Sequence, residues 1–279
     1  MQVARYRGAD GEARLALSEG EVLRDAGPAP VGGFVPTPAA WEALRPGRET
    51  VPLDGADLLA PLDPPKLICL GLNYRDHADE SGESVPPAPL VFAKFPSAVI
   101  GHGETIVVPP QESQPDWEAE LALVIGTAAR DVDGEEALGA IGGYTAMNDV
   151  SGRQAQLGDG QWTRGKSFDT FAPLGPALCS TEGLDWAALR VTCKVSGELL
   201  QDATTAELVF GVPEIVSYLS HQFTLLPGDV IATGTPAGVG LGLTPQRWLQ
   251  DGDVVEVEVG AVGPLRNRVA RMDSGRAPG

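Results

Sequence analysis

The residues best suited to chemistry are two glutamates, Glu118 and Glu120, in the run WEAELALVIG (117–126). On a strand, side chains two apart share a face, so these carboxylates point the same way. Glu-x-Glu is a weak pattern by itself, and the chain carries its own control. Glu256 and Glu258 lie in Val-Val-Glu-Val-Glu-Val, where one face is valine and the other acid. That alternation describes a half-solvated strand. Around the first pair, one face is Trp117, Ala119, Leu121, Leu123 and Ile125, and the acids' own face continues with Ala122 and Val124. Both faces read as buried. Two acids at the end of an interior strand repel each other and lose their hydration. They need a proton or a cation, and a hard divalent ion with oxygen ligands meets that need. Asp149 closes the run GYTAMND (143–149). It suits either a third ligand at a strand end or a turn residue. Asp116 shares the face of the two glutamates and reads as an outer group.

The chain has three histidines, His77, His102 and His221, in dissimilar contexts, which argues against a three-histidine zinc site. His77 and Glu80 have i, i+3 spacing, and on a helix these side chains meet. A carboxylate beside an imidazole fixes its tautomer and raises its basicity, as a water-activating base requires. The same spacing also occurs as an ordinary surface pair. His221 follows an amphipathic pattern and reads as structural, and the Gly-His102-Gly turn has no assigned role. Arg153, Gln156, Arg164 and Lys166 lie among glycines and aromatics after Asp149, in what reads as loop. They suit either a carboxylate ligand or plain solvated charge. TGTPAGVG (233–240) lacks the Gly-Lys-Ser/Thr of a phosphate loop, but could offer hydroxyls and N–H groups to an anion.

Stepping outward to the elements, residues 1–60 alternate short strand-like runs with glycine turns and read as a small β-rich N-terminal domain. The proline-rich stretch 51–65 reads as a linker to a catalytic domain over 65–273. Strands are predicted at 66–74, 91–95, 105–109, 117–126, 143–151 and 253–260, with a hairpin over 189–201. A further strand is predicted to run into a glycine-rich loop over 228–240. Residues 75–89 read as a surface segment beginning with a short helix, and 134–141 as a helix. Thr204 with Glu207 has capping-box spacing and predicts a helix start, and Pro213 a second. Many short strands with few helices predict an α+β fold.

The 279-residue chain is 43% hydrophobic, enough for a full core. The formal net charge of −18 excludes a nucleic-acid partner. It also repels acidic substrates at long range, so a local positive cluster must overcome that field. No apolar run is long enough to span a membrane, and MQVARYRGADGEARL is too polar for a secretory signal. Three scattered cysteines, Cys69, Cys179 and Cys193, suit a reducing, cytoplasmic setting.

Six segments together resemble the fumarylacetoacetate hydrolase family, in its acylpyruvase and 2-hydroxyhepta-2,4-diene-1,7-dioate isomerase-like branch. They are GLNYRDHADE (71–80), FAKFPSAVIG (92–101), DWEAELALVIG (116–126), GYTAMNDVSGRQAQ (143–156), TRGKSFDTFAPLGP (163–176) and TGTPAGVG (233–240), and the match spans roughly residues 65–265. The resemblance implies a mixed β-sandwich roll behind the small N-terminal domain, and a homodimer. It implies Mg²⁺ or Mn²⁺ on Glu118, Glu120 and Asp149, with Lys166 beside the metal. His77 and Glu80 would activate water from a flexible lid, Arg153 and Gln156 would contact substrate, and Thr233 and Thr235 would sit in a substrate-binding loop. Asp76 matches an extra metal ligand of some relatives. Two departures are local: no acidic residue follows Arg153, and His102 stands where proline is common. The reaction so implied is C–C hydrolysis of an acylpyruvate-like 2,4-dioxo acid. Alternatives on the same site are decarboxylation of an oxaloacetate-like acid, isomerisation or hydration of a 2-hydroxydienoate, and ligand binding without catalysis.

Overall fold

The computed structural model describes residues 1–272. Residue 273, where the expected catalytic domain ends, lies outside the described residues. The fold is sheet-dominated α+β with few helices, as expected, and two sheets carry it. The larger has strand Ala119–Ile125 near its middle. This strand pairs antiparallel with Ile141–Asn148 on one side and with Val230–Ala232 on the other. Beyond Val230–Ala232 lie Leu67–Gly71, parallel to it, and the outermost strand Leu90–Lys94. The second sheet orders Glu198–Thr204, Arg190–Val195, Val254–Val259, Val262–Arg271 and Thr105–Val108.

Every residue of Ala119–Ile125 is buried. Leu121, Leu123 and Ile125 join a core shared with Val191, Cys193, Val255 and Val257 of the second sheet. Ala122 and Val124 turn the other way, into a core with Leu67, Cys69, Met147 and Phe34. Each such Leu, Ile or Val contributes about 1.5–3 kcal/mol by leaving water. The strand is therefore held from both faces, and Glu118 and Glu120 are fixed at its N-terminal end.

The N-terminal strands Gln2–Arg7, Ala13–Glu19 and Val22–Pro28 form a meander. Its first strand pairs antiparallel with Ala172–Cys179, so these strands extend the larger sheet. The stretch read as a linker holds Leu58–Leu59, which pairs with Gln2–Arg7.

Two readings of local structure are corrected. Thr204 and Glu207 do form a capping box, but over a single 3₁₀ turn, Thr205–Glu207. Asn73 explains the stop: its carbonyl accepts from Val209 N–H at 2.8 Å and its Oδ1 from Phe210 N–H at 2.9 Å. These bonds draw the chain out before Val212–Gln222 can begin at its N-terminal proline. The segment read as loop after Asp149 holds two helices, Arg153–Asp159 and Trp162–Lys166. The first is capped from a distance: buried Glu112 accepts from Gln154 N–H and Ala155 N–H at 3.2 and 3.1 Å. The run 163–176 also leads into a full strand, Ala172–Cys179.

Candidate metal centre

Strand direction gathers the site. Antiparallel pairing sets the start of Ala119–Ile125 beside the end of Ile141–Asn148. It likewise brings the segment after Val230–Ala232 toward the same end, and the parallel Leu67–Gly71 adds its own C-terminal continuation. Segments 72–80, 149–153 and 233–242 thus converge on Glu118 and Glu120. Carboxylate oxygens of Glu118, Glu120 and Asp149 lie within 4.8 Å of one another, and all three residues are buried.

Each acid has a distinct set of neighbours. Glu118 accepts from Lys166 Nζ at 2.6 Å. Its other oxygen lies 2.7 Å from Arg153 Nη2, an ion-pair contact without hydrogen-bond alignment. Asp149 accepts from Lys166 Nζ at 2.9 Å and from Lys94 Nζ at 2.5 Å. Glu120 has no basic partner among the described residues. Its Oε2 accepts from Gly234 N–H at 2.8 Å, while its Oε1 is buried with no hydrogen-bond partner. Gly234 has φ +97°, and a Cβ there would meet Asn73 Cβ at 2.8 Å. Only glycine can bring that N–H to Glu120 without strain.

The charges sort accordingly. Burial would raise Glu118, but Lys166, Arg153 and His77 outweigh it and hold the carboxyl at about 2. Burial, then Asp149 and Glu118, push Glu120 well above the ordinary carboxylate range. Burial also lowers Lys94. It opposes the rise in Lys166, where Asp149 and Glu118 prevail. Among these groups Glu120 is left to hold a proton or meet a cation. A carboxylate trio with one orphaned buried oxygen fits a hard divalent ion.

A cavity of about 520 Å³ reaches this cluster at Glu118, while Glu120 and Asp149 lie behind it and are not among the lining residues. Glu118, Lys166, Arg153, Gln156 and Thr235 line it. His77 and Glu80, from helix Arg75–Ser81, line it too and face each other as their spacing predicts, His77 Nδ1 lying 3.5 Å from Glu80 Oε2 without a hydrogen bond. Glu80 also accepts from Gly238 N–H at 3.0 Å, and Asp76 from Ala237 N–H at 3.3 Å. The helix is thereby docked on the 233–240 loop. Asp76 is engaged with backbone and is not one of the clustered carboxylates.

Not every expected residue reaches the cavity. Thr233 is fully buried, its hydroxyl donates to Leu121 O at 3.1 Å, and it is not among the lining residues. Thr235 lines the cavity while donating to Ala119 O and accepting from Gln201 Nε2. Arg153 lines it but is also committed elsewhere: Nε donates to Asp116 at 2.8 Å and Nη1 to Gln156 at 2.9 Å. Asp116 in turn accepts from Gly240 N–H and Leu241 N–H, tying the arginine to the 233–242 loop. Lys94, Asn73, Glu112 and Gln201 escaped the sequence reading. Lys94 alone left a trace, as a single lysine in the otherwise apolar VFAKF (91–95).

The architecture and the trio together define a scaffold that gathers buried carboxylates beside a cavity, and comparison with known proteins gives its kin. The family described as Fumarylacetoacetate (FAA) hydrolase C-terminal matches residues 66–270. A mitochondrial oxaloacetate tautomerase of Bos taurus is 41% identical over 231 residues, covering 81% of this chain and 74% of its own. The crystal structure of a 2-hydroxyhepta-2,4-diene-1,7-dioate isomerase from Mycobacterium marinum aligns with a TM-score of 0.82 at 35% identity, covering 99% of this chain and 100% of its own. A fumarylacetoacetate hydrolase from Exiguobacterium antarcticum aligns with a TM-score of 0.83 at 35% identity, covering 98% and 100%. The chain belongs to the fumarylacetoacetate hydrolase family. No helix among the described residues is long and apolar enough to cross a membrane.

Proposed function

We propose that this protein is a Mg²⁺- or Mn²⁺-dependent enzyme that hydrolyses a C–C bond in an acylpyruvate-like 2,4-dioxo acid. The observation that carries the reading is the buried trio Glu118, Glu120 and Asp149 with its orphaned Glu120 oxygen, which reaches through Glu118 the cavity that His77 and Glu80 also line. When bound, the cation supplies a Lewis acid for a chelating 2-oxo carboxylate. His77, oriented by Glu80, takes a proton from water, and the hydroxide so made attacks the distal carbonyl; the adjoining C–C bond then breaks, its electron pair leaving as pyruvate enolate, which takes up a proton, while the other fragment leaves as a carboxylic acid. Lys166 holds Glu118 and Asp149 in place, and Arg153 with Gln156 binds the substrate carboxylate. Thr233 and Thr235 act through the 233–240 loop, Thr233 by holding its base and Thr235 from the cavity wall. The docked helix 75–81 excludes bulk water while it is closed. The cavity, well beyond the size of a four-carbon acid, supports an acyl chain in the substrate.

A second reading keeps the site and changes the reaction. The names of the bovine tautomerase and the mycobacterial isomerase favour it. There His77 would move a proton at carbon, with no attacking water. Assay of acylpyruvates, oxaloacetate and 2-hydroxydienoates with either metal separates the two. Cleavage of acylpyruvates that is lost in His77→Ala supports hydrolysis, and tautomerisation of oxaloacetate without any cleavage supports the second. The same proposal includes a homodimer, a cytoplasmic setting and a catalytic unit distinct from residues 1–60. Light scattering, cell fractionation and limited proteolysis within 51–65 test these in turn.

A further inference from the structure

The cavity has two chemically different ends. At the metal end sit Lys166 and Arg153, nearly fully buried and already paired with Glu118, Asp149 and Asp116. From Lys166 the wall turns apolar. Its ammonium lies 5.1 Å from the Phe92 ring centroid, and Phe92 meets Trp162 edge-on at 5.4 Å. Trp162 packs so closely on Gly71 that a Cβ there would sit 2.3 Å from the indole and 3.3 Å from Leu90. Glycine at 71 thus makes room for the indole in the wall. The strip ends in two side chains that face water, Leu90 at 38% and Leu157 at 62% exposure, both lining the cavity. Exposed leucines at a cavity rim mark a place for an apolar ligand group. Apart from Arg153 and Lys166, no described lining residue is Lys or Arg, and the acids Glu80 and Glu83 lie on the lid side. A carboxylate at the far end of a substrate would meet leucine, indole and like charge. In a chain of net charge −18 nothing distant offsets that cost.

We propose that this cavity selects a 2-oxo acid whose distal end is an uncharged apolar chain or ring, lying along Phe92, Trp162 and Leu90, and rejects one that ends in a second carboxylate. This rests on the proposed function only for the position of the 2-oxo acid head.

Binding to the Mn²⁺-loaded protein tests the selection without turnover. The probes are oxamate, N-hexyl oxamate and N-(5-carboxypentyl) oxamate, followed by calorimetry and by tryptophan fluorescence. N-hexyl oxamate should bind at least about tenfold tighter than oxamate, as burial of two or three methylenes gives. The carboxypentyl compound should bind no tighter than oxamate. Trp162→Ala should abolish most of the hexyl gain. Leu90→Lys, on a partly exposed edge strand, should instead favour the carboxylate-ended probe. Equal or tighter binding of that probe to the unaltered protein overturns the proposal. Failure of all three probes, oxamate included, would instead remove the 2-oxo acid head and with it the proposed function.

Discussion

Two Glu-x-Glu pairs in one chain meet opposite fates. Glu256 and Glu258 alternate with buried valines and remain half-buried at the surface of the second sheet, where Glu256 pairs with exposed Arg266 at 3.3 Å. Glu118 and Glu120 have the same spacing, yet they are buried, ringed by Lys166, Arg153 and Asp149, with one oxygen lacking any partner. Spacing sets only which face the acids share. What lies on that face, valine-backed solvent or a second core, decides whether they are solvated charges or a site.

The contrast can be broken at its strongest point by removing one ligand. Glu118→Ala or Glu120→Ala should weaken Mn²⁺ binding by calorimetry at least 10²-fold, since even groups that only orient ligands are worth about 10–100-fold. The same substitution at Glu256 should leave it unchanged. Next in size is Lys166→Met, which strips two buried acids of their shared cation. Urea unfolding in chelator should show a loss of about 3–5 kcal/mol, and saturating Mn²⁺ should recover part of it. A full loss that Mn²⁺ does not touch would show that the lysine, not a metal, is what the acids need. In the unaltered protein, Mn²⁺ at a hundred times its Kd should add about 2.7 kcal/mol of stability, seen as a rise in Tm that Glu120→Ala abolishes.

A smaller effect comes from a buried acid with a permanent partner. Asp25 accepts from Arg14 at 2.7 Å through both oxygens, and that guanidinium holds its carboxyl below the usual range. Its stabilisation is present above the unfolded carboxylate value and is lost as pH falls through the depressed folded value. Asp25→Asn should therefore cost about 1 kcal/mol at neutral pH and flatten the acid limb of stability measured in urea, without altering metal binding. Smallest of all, Glu256→Gln with Glu258→Gln should stay within about 0.5 kcal/mol.

Much of the site was legible because it sits on strands with strong periodicity. Two apolar faces around Glu118 and Glu120 announced burial, and the i, i+3 spacing of His77 and Glu80 set Nδ1 3.5 Å from the carboxylate, short of a hydrogen bond. The rest depended on partners far apart in the chain. Lys94 reaches Asp149 across 55 residues, and Gln201 ties Ala119 to Thr235 from the other sheet. Glu112 caps a short helix more than 40 residues on, so glycines and basic residues there read as loop. Thr233 illustrates the limit of a motif: its place in TGTPAGVG is clear, but only the fold shows its hydroxyl turned to the Leu121 carbonyl.

The most direct measurement is an anomalous difference map from crystals grown with Mn²⁺ and collected at an energy where manganese scatters anomalously. The expected result is a strong peak bounded by Glu118, Glu120 and Asp149, with Glu120 Oε1 turned onto it and none beside Glu256 and Glu258. Saturating Mn²⁺ with no peak at the trio, and Glu120 still lacking a partner, would contradict the account.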